Sequence, residues 1–227
     1  MEPERTPSRQ SNRAHLLSLA LVAGSFAAAA VLYRRLPDPV PVHWDAHGQV
    51  NGFMPKPWGV LVLPLVTLGT YALLSILPRI SPQGFRFDRF RGTYDLIRTA
   101  ILGFLFFATL LALLAGAGFD VSVARAVPFG VGVLFVVLGN VLGKVTKNFF
   151  VGIRTPWTLA SDEVWLRTHR LGGRVFVVAG LVLAIAGLLG SGGAAPIVAV
   201  SLAAPLIPIV YSYVIYRRLQ GPTGHAR

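Results

Sequence analysis

Two short segments hold most of the polar side chains that could do chemistry. The first runs His43-Trp44-Asp45-Ala46-His47 and continues through Gly48, Asn51-Gly52 and Phe53 to Lys56. His43 and His47 are four residues apart, so one helical turn would aim both imidazoles at a single point beside the Asp45 carboxylate, a set that suits a metal ion. Pro37, Pro39 and Pro41 argue against that turn, because they hold the chain extended just ahead of it, and no HExxH pattern is present. Three readings stay open: a loop closed by its own hydrogen bonds, a contact surface for a peptide or other ligand, and a metal site. The working assignment takes His43, Trp44, Asp45, His47, Asn51 and Lys56 as binding residues, with no metal and no cofactor. Catalysis is not expected, because the segment has no serine or cysteine nucleophile and its only carboxylates are Asp38 and Asp45.

The second segment runs from Asn148 to Arg174. Pro156 excludes Thr155 from the helical region, so the chain turns there. Ser161 is a good helix N-cap, and Asp162 and Glu163 suit the positive end of the helix that follows. That spacing predicts a short helix from Asp162 to about Leu171, with Trp165 and His169 on one face and Gly172-Gly173 loosening the backbone behind it. Tryptophans and arginines at a membrane surface are ordinary anchors. Asn148, Arg154, Thr155, Thr158 and His169, threaded with Gly152 and Pro156, form a polar cluster with more specified turn chemistry than anchoring requires. Packing into the protein and shaping for a partner both remain open. The candidate residues are Asn148, Gly152, Arg154, Thr155, Pro156, Trp157, Thr158, Trp165, His169 and Arg170.

These segments must be held by membrane-spanning helices. Hydrophobic residues make up 54% of the 227 and charged residues only 13%, about half the charged share of a soluble domain. Six stretches without Asp, Glu, Lys or Arg are long enough to span: Leu16–Tyr33, Trp58–Leu77, Thr99–Phe119, Ala126–Gly143, Val175–Gly193 and Ala194–Tyr216. Ser191-Gly192-Gly193 should turn the chain between the last two, and Pro205 and Pro208 should bend the sixth. The expected fold is all-α, a polytopic membrane protein of six transmembrane helices. Residues 1–14 read as a disordered tail, 15–77 as a two-span unit carrying the His43 loop, and 78–227 as a four-span unit carrying the Arg154–Arg170 loop.

Seventeen of the 21 Lys and Arg residues fall on the side of the two termini, which places both termini in the cytoplasm. The net charge of +12 then follows from orientation, and no basic–aromatic nucleic-acid module is present, so no direct nucleic-acid partner is expected. Arg and Phe alternate from Phe85 to Arg91. This reads as a segment lying in the lipid headgroup layer, or else as a docking patch for a cytoplasmic partner. The apolar stretches carry no ionisable group of the kind that ion-coupled pumps place at depth, which counts against a small transporter or exporter, the alternative function. Cysteine is absent, so neither disulfides nor thiolate chemistry enter.

The pattern Asn148…Gly152-Ile153-Arg154-Thr155-Pro156-Trp157-Thr158-Leu159…Ser161…Trp165…Thr168-His169-Arg170…Gly172-Gly173 resembles the signature of the SdpI family of six-span bacterial membrane proteins. The outer pattern Pro39…Pro41-Val42-His43-Trp44-Asp45…Gly48…Asn51-Gly52…Lys56 resembles the small membrane domain of unknown function that often precedes it. The resemblance covers nearly the whole chain and implies a bacterial plasma-membrane protein that is not an enzyme. It further implies protection against a secreted peptide toxin of the sporulation-delaying kind, and capture of a soluble winged-helix repressor at the membrane. The outer loop would meet the toxin, and the inner loop would carry the response or receive the partner.

Overall fold

The structure is a computed structural model that describes residues 9–45, 47–81, 90–190 and 194–220. Six of its helices are long and apolar enough to cross a membrane. In chain order the elements are α1 (Arg9–Leu32), β1 (Val40–Trp44), β2 (Val50–Met54), α2 (Lys56–Ile76), α3 (Arg91–Gly116), α4 (Val123–Leu142), α5 (Pro156–Ala160), α6 (Asp162–Leu189) and α7 (Ala194–Leu219). The six expected spans are all present as helices. The even number brings the start of α1 and the end of α7 to one face, together with α5; the β-strands lie at the opposite face.

The all-α expectation misses one element. The outer segment is an antiparallel hairpin in which Val40 pairs with Met54, His43 with Gly52 and Trp44 with Val50. Alternation of branched and aromatic residues from Val40 to Trp44 favours a strand, and Gly48, at φ +80°, supplies the reversal. The hairpin is seated rather than free. Val40 and Leu36 join Ala29, Leu32, Val60 and Leu113 in a buried cluster that ties it to α1, α2 and α3.

Two further expectations are corrected. Residues 9–14, expected to be disordered, are already in α1, where the Ser11 hydroxyl donates to Asp95 Oδ2 at 2.9 Å and so gives the first turn a tertiary partner. The backbone does not loosen at Gly172-Gly173, because α6 runs unbroken from Asp162 to Leu189. Those glycines are packing residues. Gly132 and Gly139 on α4 face Gly180 and Gly173 on α6, Gly187 of α6 meets the α4 backbone at Arg125 and Phe129, and the seven-residue spacing keeps the small residues on one stripe. A Cβ added to Gly180 would lie 2.6 Å from the Gly132 carbonyl oxygen, and one added to Gly139 would lie 2.6 Å from that of Gly173. Backbones this close carry α4 and α6 as one unit. The turn expected at Ser191-Gly192-Gly193, most of the Phe85–Arg91 segment and the first eight residues lie outside the described residues.

Candidate functional site

The inner loop, between α4 and α6, is built around two buried polar side chains. Asn148 is fully buried and makes four bonds. Its amide donates to the carbonyls of Thr146 (2.9 Å) and Val151 (2.8 Å), and its Oδ1 accepts from the N–H groups of Phe150 (2.9 Å) and Val151 (2.7 Å). An asparagine is needed here because only an amide supplies two donors and a double acceptor in one plane. It holds residues 146–151 in a coil that would otherwise leave its backbone groups unpaired.

His169, 1% exposed, is the second centre. Its Nε2 accepts from the Ile153 N–H at 3.0 Å, and its Nδ1 lies 2.8 Å from the Trp165 carbonyl. A carbonyl only accepts, so Nδ1 carries the hydrogen, and an accepting Nε2 fixes the ring as the neutral Nδ1–H tautomer. The ring stacks on Trp165 with centroids 4.0 Å apart, and Trp165 Nε1 donates to the Val145 carbonyl at 2.8 Å. The backbone of Gly152, at φ +112°, passes against this imidazole. A side chain there would meet both an unfavourable backbone conformation and the ring.

The stretch 153–161 is closed by threonines. Thr155 Oγ1 accepts from the Thr158 N–H at 3.2 Å, and Thr158 Oγ1 accepts from the Thr155 N–H at 2.9 Å, a reciprocal capping box that starts α5 with Pro156 in its first position. Thr158 Oγ1 also donates to the Ile153 carbonyl at 2.9 Å. Thr155 Oγ1 reaches Ser212 Oγ of α7 at 3.0 Å, and the Trp157 ring lies 5.0 Å from that of Tyr213. Lys147 pairs with Asp162 across the mouth of the loop, and Ser161 caps α6 as its position predicts.

The structure thus divides the ten candidates by role. Asn148, Thr155, Thr158, Trp165 and His169 are buried and shape the loop from inside. Arg154 and Pro156 are exposed and Trp157 is half-buried, so these three offer the surface a partner would meet. The Arg154 guanidinium is held over the loop by the Phe149 carbonyl. Arg170 is exposed too, but it turns away from α5 towards α4.

Sequence reasoning missed Ser212, an ordinary hydroxyl in an apolar helix. It also left Arg98 just outside the third apolar stretch, which begins at Thr99. Arg98 is buried inside α3, its Nη2 3.1 Å from Asp95 Oδ1. The i, i+3 spacing of opposite charges was the available signal. The first apolar stretch of that span begins one residue later, so the absence of charge holds for the stretch and not for the helix.

The outer residues do not converge. His43 Nδ1 donates to Asn51 Oδ1 across the hairpin. Asp45 Oδ1 accepts from the N–H groups of His47 (2.8 Å) and Gln49 (2.9 Å), closing the turn. The Gln49 N–H is the main cause holding the Asp45 carboxyl below its usual range, with burial working against it and the His47 N–H and nearby imidazole adding to it. Lys56 Nζ donates to the Leu36 carbonyl at 2.7 Å and stands 4.8 Å from the Tyr33 ring centre. Trp44 is half-buried opposite Val50, whereas the His47 side chain is 84% exposed. Among the described residues no three His, Asp or Glu side chains come together.

Six apolar spans, a seated hairpin on one face and a pinned loop on the other define a multi-pass membrane protein with two specified surfaces. Residues 144–212, which contain the whole inner loop, match the SdpI/YfhL protein family, and residues 20–68, which contain the hairpin, match a domain of unknown function, DUF1648. The chain resembles the SdpI family through residues 144–212. It is similar to the protein named Immunity protein SdpI of Bacillus subtilis (strain 168), 27% identical over 208 residues that cover 91% of this chain and 98% of that protein. No solved structure matches it.

Proposed function

We propose that the chain is an immunity protein of the plasma membrane that protects its cell from a secreted peptide toxin. The observation that carries this is the similarity to an immunity protein over 91% of the chain, which takes in the hairpin and the inner loop together. Both termini lie in the cytoplasm, a reading supported by the excess of basic residues on the α5 side, and the hairpin faces outward. There the backbone edges of β1 and β2 and the exposed side chains of His43, His47 and Phe53 offer a peptide both hydrogen bonds and apolar contact. The inner loop presents Arg154, Pro156 and Trp157 to the cytoplasm, where a soluble repressor would be captured. The lipid bilayer is the third partner. The family is not an enzyme family, and the two surfaces supply contact rather than chemistry.

The test uses Bacillus subtilis cells lacking their own immunity protein, challenged with the peptide toxin that protein resists. Survival with this chain, and its loss when His43 and Asn51 are both changed to alanine, supports the reading. Death of cells carrying the unchanged chain, present in the membrane at the level at which the Bacillus protein protects, overturns it.

A further inference from the structure

Two grooves flank α6 where its last charges meet the apolar span. The first, about 520 Å³, runs between α4 and α6, with Gly139, Asn140 and Gly143 on one wall and Arg170, Gly173 and Val177 on the other. The second, about 390 Å³, runs between α6 and α7, along Val182 of α6 and Val200, Ala203, Ala204 and Ile207 of α7. Both grooves are lined by Arg174 and by Val178, so they open under one guanidinium and part around one ridge. From Arg174 to Val182 the ridge extends about 12 Å along the helix axis.

The charge at the mouth has no ion-pair partner among the described residues. Arg170 and Arg174 are one turn apart on α6 and exposed, and neither is in an ion pair among the described residues. Arg167, one turn earlier, is by contrast neutralised by Glu163. Across the first groove, Gly143 of α4 leaves room beside Arg170, while Gly139 lies against the Gly173 backbone at its floor. Asn140 spends one amide hydrogen on the Val136 carbonyl, leaving its oxygen and second N–H available. Two guanidiniums stand over one mixed groove, whose apolar side chains are Val177 and Val178, and one apolar groove, and together these complement a ligand with one anionic head and two hydrocarbon tails.

We infer that α6 carries a binding site for a single diacyl anionic phospholipid, its phosphate held between Arg170 and Arg174 and its acyl chains lying in the α4/α6 and α6/α7 grooves on either side of Val178. The site occupies the α5 face of the membrane, a turn beyond His169. The lipid would therefore brace the helix that carries the inner loop, which makes it an element of the protein and not bulk solvent.

The experiment takes full-length protein through vesicles of phosphatidylglycerol in phosphatidylcholine, releases it into mild detergent, and counts retained lipid by native mass spectrometry. The unchanged chain should keep one phosphatidylglycerol per chain in preference to phosphatidylcholine. Arg170→Gln with Arg174→Gln should lower apparent affinity on the order of thirtyfold, since each basic residue at a lipid surface contributes about 1 kcal/mol. Arg167→Gln should change nothing. Lysophosphatidylglycerol, with one chain, should be held more weakly, and glycerol phosphate or inorganic phosphate should not compete. Equal retention by the double variant, equal loss in Arg167→Gln, indifference to headgroup charge, or displacement by free phosphate would each overturn the inference. Melting curves for every variant guard against reading misfolding as lost binding.

Discussion

Replacing Asn148 tests whether the inner loop is a built structure or a slack connection. The side chain is fully buried and makes four bonds, two as donor and two as acceptor. At about 1 kcal/mol net for each bond, Asn148→Ala should cost about 4 kcal/mol. The figure is an upper one, because Phe150 is half-buried and its N–H regains water when the loop relaxes. Asn148→Asp separates geometry from chemistry. It has the same shape and keeps the oxygen that accepts from Phe150 and Val151, but it turns a second oxygen towards the carbonyls of Thr146 and Val151. Two attractions become two repulsions, so this isosteric change should cost at least as much as alanine. Asn140→Ala is the control: Asn140 is exposed and bonds only its own helix, so its loss should stay within about 0.5 kcal/mol. Unfolding in mild detergent, followed by the fluorescence of Trp157 and Trp165, measures the stability, and limited proteolysis between residues 143 and 161 measures the loop. An Asn148→Asp protein with the stability and protease resistance of the unchanged chain would refute the reasoning.

Three further outcomes follow from the packing. Gly180→Ala puts a methyl 2.6 Å from the Gly132 carbonyl oxygen and 2.7 Å from the Val136 nitrogen, atoms of backbone that have no rotamer to change, so α4 and α6 must separate at a cost of about 1–3 kcal/mol, read as a lowered detergent midpoint. Asp95→Leu leaves the buried Arg98 uncompensated and should cost about 3 kcal/mol, whereas Asp95→Leu with Arg98→Met should restore much of it; equal damage from both would contradict an ion pair. The Asp45 carboxyl is held below its ordinary value of 3.8, so its contribution to the hairpin is complete above that value and is lost as pH falls through the lower, folded one. The protection factor at Gln49, its amide exchange taken relative to the intrinsic rate at each pH, should accordingly be constant from neutral pH down to about 5 and fall only below about 4.

The spans were legible because lipid leaves few alternatives: charge-free runs of about 20 residues must be helical. The inner loop was legible as a place, since Thr155-Pro156 and Ser161 mark helix starts by local chemistry. Its interior was not legible. That Asn148 bonds only backbone, or that Thr155 meets Ser212 fifty-seven residues on, depends on tertiary position that no local pattern carries. Gly172-Gly173 misled because a glycine pair loosens an isolated helix but tightens a helix pair, and only the facing Gly139 decides between the two. The hairpin was hidden by its prolines and histidines, which suggested a stiff loop, while the pairing of His43 with Gly52 became visible only once both strands were placed.

The most direct test of the account is membrane potential in toxin-sensitive cells during challenge, followed with a potential-sensitive dye. Three sets of cells are compared at matched expression: without this chain, with it, and with Arg154→Ala, a change at an exposed side chain that bonds the Phe149 carbonyl. The account predicts that the unchanged chain preserves the potential and that Arg154→Ala, still folded and in the membrane, does not. Collapse of the potential in cells carrying the unchanged chain would contradict immunity. Full protection by Arg154→Ala would contradict a part for the inner loop in it.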